Sequence, residues 1–351
     1  MSEDSDTSPL GATGVGSMPG TDAREAVKTV IGSFESGQGV PHLPELPARG
    51  PGADMVGRTA GLLVELYARV EPSGWRLGDR PGRDTRRARS LLGEDLDALE
   101  EHAQGHTGPL KVQAVGPWTL AAQLELRNGE AVLSDPGAVR DLAVSLTEGL
   151  RAHTAAVRAR VPGARVVVQL DEPVLTAVLL GRVPSASGYR THAAPDRQLV
   201  ESTLRDVVEG QRRDVPAAAA TGTWADGAVV VHSCAPGVPF ALLRRAGAAG
   251  ISFDTALLTE RDDDALGETV ENGVTLLTGV VPGTDGPLSD PAGSVSGVRT
   301  LWRRLGLAPG LLARSVAVTP ACGLAGASPQ YARRALAHCV QAARSLADNP
   351  E

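Results

Sequence analysis

The order of elements along this chain predicts a single-domain (β/α)8 TIM barrel. Two observations carry the prediction. Eight short apolar runs alternate with helical patterns between Ala12 and Ala347. Most of the runs end abruptly in Gly, Pro or a polar residue, as strands opening onto a barrel mouth do. A length of 351 residues exceeds a usual domain but suits one barrel, and 42% hydrophobic residues supply its core. An open doubly wound sheet is the alternative, and no Gly-x-Gly-x-x-Gly fingerprint supports it. No short repeat marks a solenoid.

Taken in order, residues 1–10 are Ser/Asp-rich and expected to form a disordered tail, with the barrel spanning 11–349. Ala12–Gly16 reads as the first strand, followed by a helix capped by Thr21 or Asp22 and running to Phe34. Gly39–Leu43 is the second strand, before Pro44-Glu45-Leu46-Pro47, and a helix follows over 53–68. Residues 70–92, rich in Gly, Pro and Arg, show no period and read as a substrate loop or surface insert ahead of a helix over 93–104. Leu110–Val115 is the third strand, leading into a helical 120–126; Asp135-Pro136 opens the longest helix, to Arg160.

Arg165–Leu170 is the fourth strand and Gln198–Arg213 an amphipathic helix. The fifth strand lies in Ala228–Pro236, where unbroken Val229–Val231 reads as buried on both faces. A short helix over 239–246, a sixth strand Gly250–Phe253, a helix over 262–272 and a seventh strand Val274–Val281 follow. A helix over 291–305, the eighth strand Ser315–Thr319 and a terminal helix over 329–347 capped by Ser328 complete the series.

Composition narrows the function classes. A net charge of −7 without a basic, aromatic-interleaved stripe argues against nucleic acid as partner. No apolar run reaches the ~18–20 residues of a membrane span. The acidic start is the opposite of a signal peptide, and three unpaired cysteines suit a reducing compartment, so a cytoplasmic location is expected. Lysine occurs only at Lys28 and Lys111.

The polar residues at strand ends are Ser17, Glu45, Asp171, Glu172, His232, Cys234, Asp254 and Cys322. His232 and Cys234 alternate along one strand face, and an imidazole beside a thiolate suits zinc. Alone, His-x-Cys is better read as a buried structural pair; Cys322 just past the eighth strand reverses that in favour of a metal site. Other readings stand beside these. Asp171 and Glu172 can cap a helix, Ser17 can cap the first one, and Glu45 can be an exposed loop carboxylate. Cys339 reads as core, and His42, His102, His106, His153, His192 and His338 as solvated or packed.

Three motifs together, His232-Ser-Cys234, Pro320-Ala-Cys322-Gly-Leu and Gln169-Leu-Asp171-Glu172-Pro173, resemble the C-terminal catalytic barrel of the cobalamin-independent methionine synthase family. Gly16-Ser17 before Pro19, Asp54-Met55-Val56, Gly116-Pro117-x-Thr119 and Gly279-Val-x-Pro282-Gly283 also match, in order, over residues 12–345. The resemblance implies zinc ligation by His232, Cys234 and Cys322. The family's fourth ligand, a glutamate on the sixth strand, is replaced here by the shorter Asp254, acting as ligand or through water. It implies that Ser17 and Asp171 hold the amino-acid part of homocysteine and that Glu45 does the work of the glutamate in the family's His-Gly-Glu. Asp171 and Asp254 are the expected catalytic carboxylates, and Trp118, inside the matching turn, an expected substrate contact.

The implied activity is zinc-dependent methyl transfer to the thiol of homocysteine, giving methionine. Zinc suits it because a free thiol, pKa ~8.5, is mostly protonated at neutral pH and a coordinating one is not. Full-length members carry a further N-terminal barrel, so the chain resembles the short relatives, with a methylated folate or a corrinoid protein as donor. Two alternatives remain: a corrinoid-linked or uroporphyrinogen-decarboxylase-like barrel, and a degenerate barrel that binds thiols or metal without turnover.

Overall fold

Eight parallel strands pair side by side in the computed structural model, which describes residues 9–35, 37, 39–213, 215 and 222–351. They are β1 (Ala12–Thr13), β2 (Gly39–Val40), β3 (Gly108–Val115), β4 (Ala164–Asp171), β5 (Val229–Ser233), β6 (Gly250–Asp254), β7 (Thr275–Val281) and β8 (Val316–Pro320). Their order is β2-β1-β8-β7-β6-β5-β4-β3. A parallel bridge between His42 and Lys111 joins the two ends: Leu43 N–H donates to Lys111 O and Lys111 N–H to Pro41 O, both at 2.9 Å. The expected (β/α)8 barrel is the observed one. Residues 1–8 of the expected tail lie outside the described residues.

Alternation sorts each strand into two environments. On β5, Val229 and Val231 join the large core between strands and helices, whereas Val230 joins a small inner cluster with Val167, Leu277 and Ala317. These valines are at most 1% exposed, and each such burial is worth roughly 1.5–3 kcal/mol. The inner cluster plugs the barrel with apolar side chains. The polar inward residues of β3 and β4, Lys111, Gln113, Gln169 and Asp171, follow in register toward the strands' C-terminal ends.

Several helices start where the sequence places a cap. Asp22 accepts from Glu25 N–H to begin Ala23–Phe34, Asp135 caps Pro136–Arg160, and Ser328 caps Pro329–Asp348. Among the described residues, no helix is long and apolar enough to cross a membrane.

The stretch 53–104 departs from expectation. The helix covers only Met55–Leu62, because Leu63 turns extended and Glu65 takes φ 59°. Tyr67–Glu71 and Gly74–Gly78 form an antiparallel hairpin joined by Leu124–Glu125, so the region read as a substrate loop or surface insert contributes to a small three-stranded sheet. The next helix begins at Arg83, ten residues earlier than the pattern predicts. Its first half buries only Thr85, Ala88 and Leu92 among arginines, too thin a stripe to read as a period. The helix expected over 120–126 is Pro117–Gln123, with Pro at its start.

Candidate metal centre and adjoining cavity

β5 carries His232 inward, and Cys234 follows two residues on, just past the strand end. Cys322 lies two residues beyond β8. The loop that carries it crosses close over β7: Ala321 N–H donates to Val281 O at 2.8 Å, and a Cβ on Gly279 would fall 2.6 Å from Ala321 Cα. Only a glycine permits that approach. One ligand atom from each of His232, Cys234 and Cys322 lies within 4.8 Å of the others, and the two sulfurs are 3.2 Å apart.

The donor set fits a metal ion. Nδ1 of His232 is 2.9 Å from Ser252 Oγ, while Nε2 is buried without a hydrogen-bond partner among the described residues. An orphaned buried nitrogen is costly unless an electron-pair acceptor meets it. The two thiols diverge: the hydrogen bond with Cys234 draws Cys322 down to about 4, while the bond with Cys322, helped by burial, pushes Cys234 up.

Asp254 is not drawn into this cluster. Its Oδ1 accepts Ala256 N–H at 2.9 Å and closes the turn Thr255–Leu257, a local bond that aspartate makes readily. The structure therefore brings together three of the four expected ligands.

Beside the cluster is a cavity of about 270 Å³ lined by Ser17, Glu45 and Asp171, with Val15, Pro47, Met55 and Pro173 as apolar walls. The ends of β1 and β2 pair through Ser17 and Glu45, with Met18 N–H donating to Glu45 O at 2.8 Å. Glu45 is buried, not an exposed loop carboxylate. Burial pushes it up to about 7, Arg58 opposing with Nε 3.4 Å from Oε1. Arg58 is itself paired with Asp95, which also meets Arg49 at 2.5 Å. Asp171 is raised by burial, with nearby His232 opposing, and its Oδ1 accepts from Gln169 Nε2 at 2.7 Å.

Glu172 does structural work. Its carboxylate accepts Trp118 N–H at 2.9 Å and both Thr119 N–H and Oγ1 at 2.7 Å, which fixes the start of helix Pro117–Gln123. Trp118 is buried, its ring N–H donating to Val200 O at 3.1 Å, and it does not line the cavity.

Four residues that sequence reasoning passed over belong to the site: Ser252, Arg58, Lys111 and Gly323. A Cβ on Gly323 would fall 2.0 Å from Ser17 Oγ, so glycine there keeps Ser17 in the cavity wall. Lys111 had a signal, a lysine inside an apolar strand of a chain with only two. Ser252 had a weaker one, two residues before Asp254 on the same strand face.

Comparison with known proteins adds a family. The profile described as "Cobalamin-independent synthase, Catalytic domain" matches residues 10–345. A B12-independent methionine synthase from Shewanella sp. W3-18-1, solved in complex with selenomethionine, superposes with TM-score 0.60 at 11% identity, covering 97% of this chain and 98% of that one. At that identity the likeness speaks to fold. An Ig-like-domain-containing GH10 xylanase from termite gut overlaps at TM-score 0.30 and 10% identity, covering 75% of this chain and 54% of that one; it carries no argument. No curated protein matches the chain.

Proposed function

The chain belongs to the cobalamin-independent synthase family as its catalytic domain, a methyltransferase of the methionine-synthase type, and from that premise we propose that it methylates the thiol of homocysteine at a zinc site formed by His232, Cys234 and Cys322. The observation that carries the reading is the donor cluster: a buried imidazole nitrogen without a partner and two sulfurs 3.2 Å apart, opening on a cavity with buried carboxylates. Imidazole and thiolate together favour zinc, and three protein ligands are the usual number at catalytic zinc sites. Bound there, zinc supplies the Lewis acidity that keeps a coordinating thiol deprotonated at neutral pH.

The chain's own residues do the rest. Asp171 and Glu45 take the substrate ammonium between buried carboxylates, and Ser17 offers its hydroxyl to the same amino-acid half. Val15, Met55 and Pro173 keep water from the reacting sulfur. Asp254 acts outside the ligand set, closing the turn beside β6, and Trp118 acts as packing. Membership of a cobalamin-independent family favours a methylated folate over a corrinoid protein as donor, and it displaces the decarboxylase-like alternative.

Substituting Cys322 by Ser tests the ligand set. Metal analysis is expected to find zinc well below one per chain, and undiminished stoichiometric zinc overturns the assignment. Methionine formation from homocysteine with methyltetrahydrofolate and with methylcobalamin, in separate assays, tests the donor; turnover with methylcobalamin alone overturns the folate assignment.

A further inference from the structure

Lys111 lies inside the barrel, fully buried, and the chemistry set out above makes no use of it. A buried ammonium persists only where acceptors meet it. Its Nζ donates to Val15 O at 2.8 Å and to Gln169 Oε1. Gln169 Nε2 in turn donates to Val15 O at 2.8 Å and to Asp171 Oδ1 at 2.7 Å. Every contact in this chain dictates the same amide orientation. An ammonium has donors and no acceptor, whereas a carbonyl and a carboxylate accept. Rotating the Gln169 amide would set N–H against the ammonium and oxygen against oxygen twice. Lys111 therefore commits Gln169 to donate toward Asp171. The relay occupies Oδ1 and leaves the second carboxylate oxygen to the cavity that Asp171 lines.

Resting on the reading of Asp171 as a holder of the substrate ammonium, we propose that Lys111 is a positioning residue which, through Gln169, fixes the carboxylate of Asp171 and so makes the site select thiols bearing an α-amino group over matching thiols without one. The three inward side chains come from adjacent strands, Lys111 standing level with Val167, two residues before Gln169 and four before Asp171, so the relay climbs the barrel wall toward the strand ends.

The test is isothermal titration of the zinc-loaded protein with homocysteine and with 4-sulfanylbutanoate, which keeps the thiol and carboxylate and lacks the amino group. In Lys111→Met and, separately, Gln169→Met, the Kd for homocysteine is expected to rise about tenfold or more while that for the analogue shifts less than about twofold. Zinc content stays that of the parent, and KM for homocysteine rises with kcat at saturation little changed. A folded, zinc-loaded variant that weakens both ligands equally, or neither, overturns the relay; Gln169→Met serves if Lys111→Met does not fold. Asp171→Asn separates the two levels. If it leaves discrimination between the ligands intact, the reading of Asp171 fails; if it abolishes discrimination that both relay variants retain, only the relay fails.

Discussion

Ser252 Oγ lies 2.9 Å from Nδ1 of His232, and the two residues are register partners on adjacent strands. The support for the candidate ligand is thus set by barrel pairing and needs no loop to supply it. Engaging Nδ1 orients the ring and leaves Nε2 as the nitrogen available to a metal. Substituting Ser252 by Ala is expected to weaken zinc binding roughly 10–100-fold, as loss of such an outer partner does at other metal sites. Competition with a chromophoric chelator measures it, and unchanged affinity would show the contact to be incidental to ligation.

Removing Asp95 attacks the cavity wall from behind. This residue, 1% exposed, holds both Arg49 and Arg58, and Arg58 in turn meets Glu45. Asp95→Asn leaves two buried guanidinium groups short of their counter-ion, a change that costs on the order of 3–5 kcal/mol. Denaturant unfolding reads the loss as a lower midpoint at unchanged slope. Replacing Asp95 and both arginines together by apolar residues of matching volume should recover much of it.

How far the sequence foretold this molecule depends on how local each feature is. Val229–Val231 announces a strand buried on both faces, and His232, Cys234 and Cys322 announce donors at strand ends, because residue type and spacing alone carry those signals. The hairpin over 67–78 escaped because its strands are mostly half-buried on both faces, which blurs the alternation, and because they depend on Leu124–Glu125, some fifty residues on. Lys111 escaped because its role exists only once β3 and β4 stand in register and Gln169 reaches it. Asp254 shows the reverse case: a position matched to a ligand, one of whose carboxylate oxygens closes its own turn, a contact that spacing does not reveal.

His153 predicts the acid limb of stability. It is buried on helix Pro136–Arg160, its Nδ1 has no partner among the described residues, and burial, aided by Arg58 and Arg160, lowers it to about 3. In the unfolded chain it titrates near 6.5, so below that pH the unfolded state binds a proton that the folded state refuses. Its contribution is complete above pH 6.5 and is lost as pH falls toward 3, on the order of 3 kcal/mol by pH 4.5. Glu45 and Glu172, both raised to about 7, act in the opposite sense between their ordinary range and 7, so the total curve is a balance. The difference between the parent and His153→Leu isolates the histidine. That difference, followed by thermal unfolding, should shrink steadily from pH 6.5 to 4.5; a constant offset refutes the assignment.

Gly323→Ala separates the cavity from the metal site. A Cβ at 323 would fall 2.0 Å from Ser17 Oγ, far inside van der Waals separation, while the adjacent Cys322 keeps its backbone path over β7. Ser17 is tied into the strand-end pairing through its backbone, with Leu324 N–H donating to Ser17 O at 2.8 Å, so the side chain has to rotate away. Taking one hydroxyl out of the proposed amino-acid pocket corresponds to about 1 kcal/mol, or an expected loss of about fivefold in homocysteine affinity. Zinc stoichiometry is expected to stay that of the parent. Ser17→Ala should reproduce the weaker affinity, and adding Gly323→Ala to it should cost little more, because the atom that clashes is already gone. If the double variant instead weakens binding additively, Gly323 acts on the loop of Cys322 and not through Ser17.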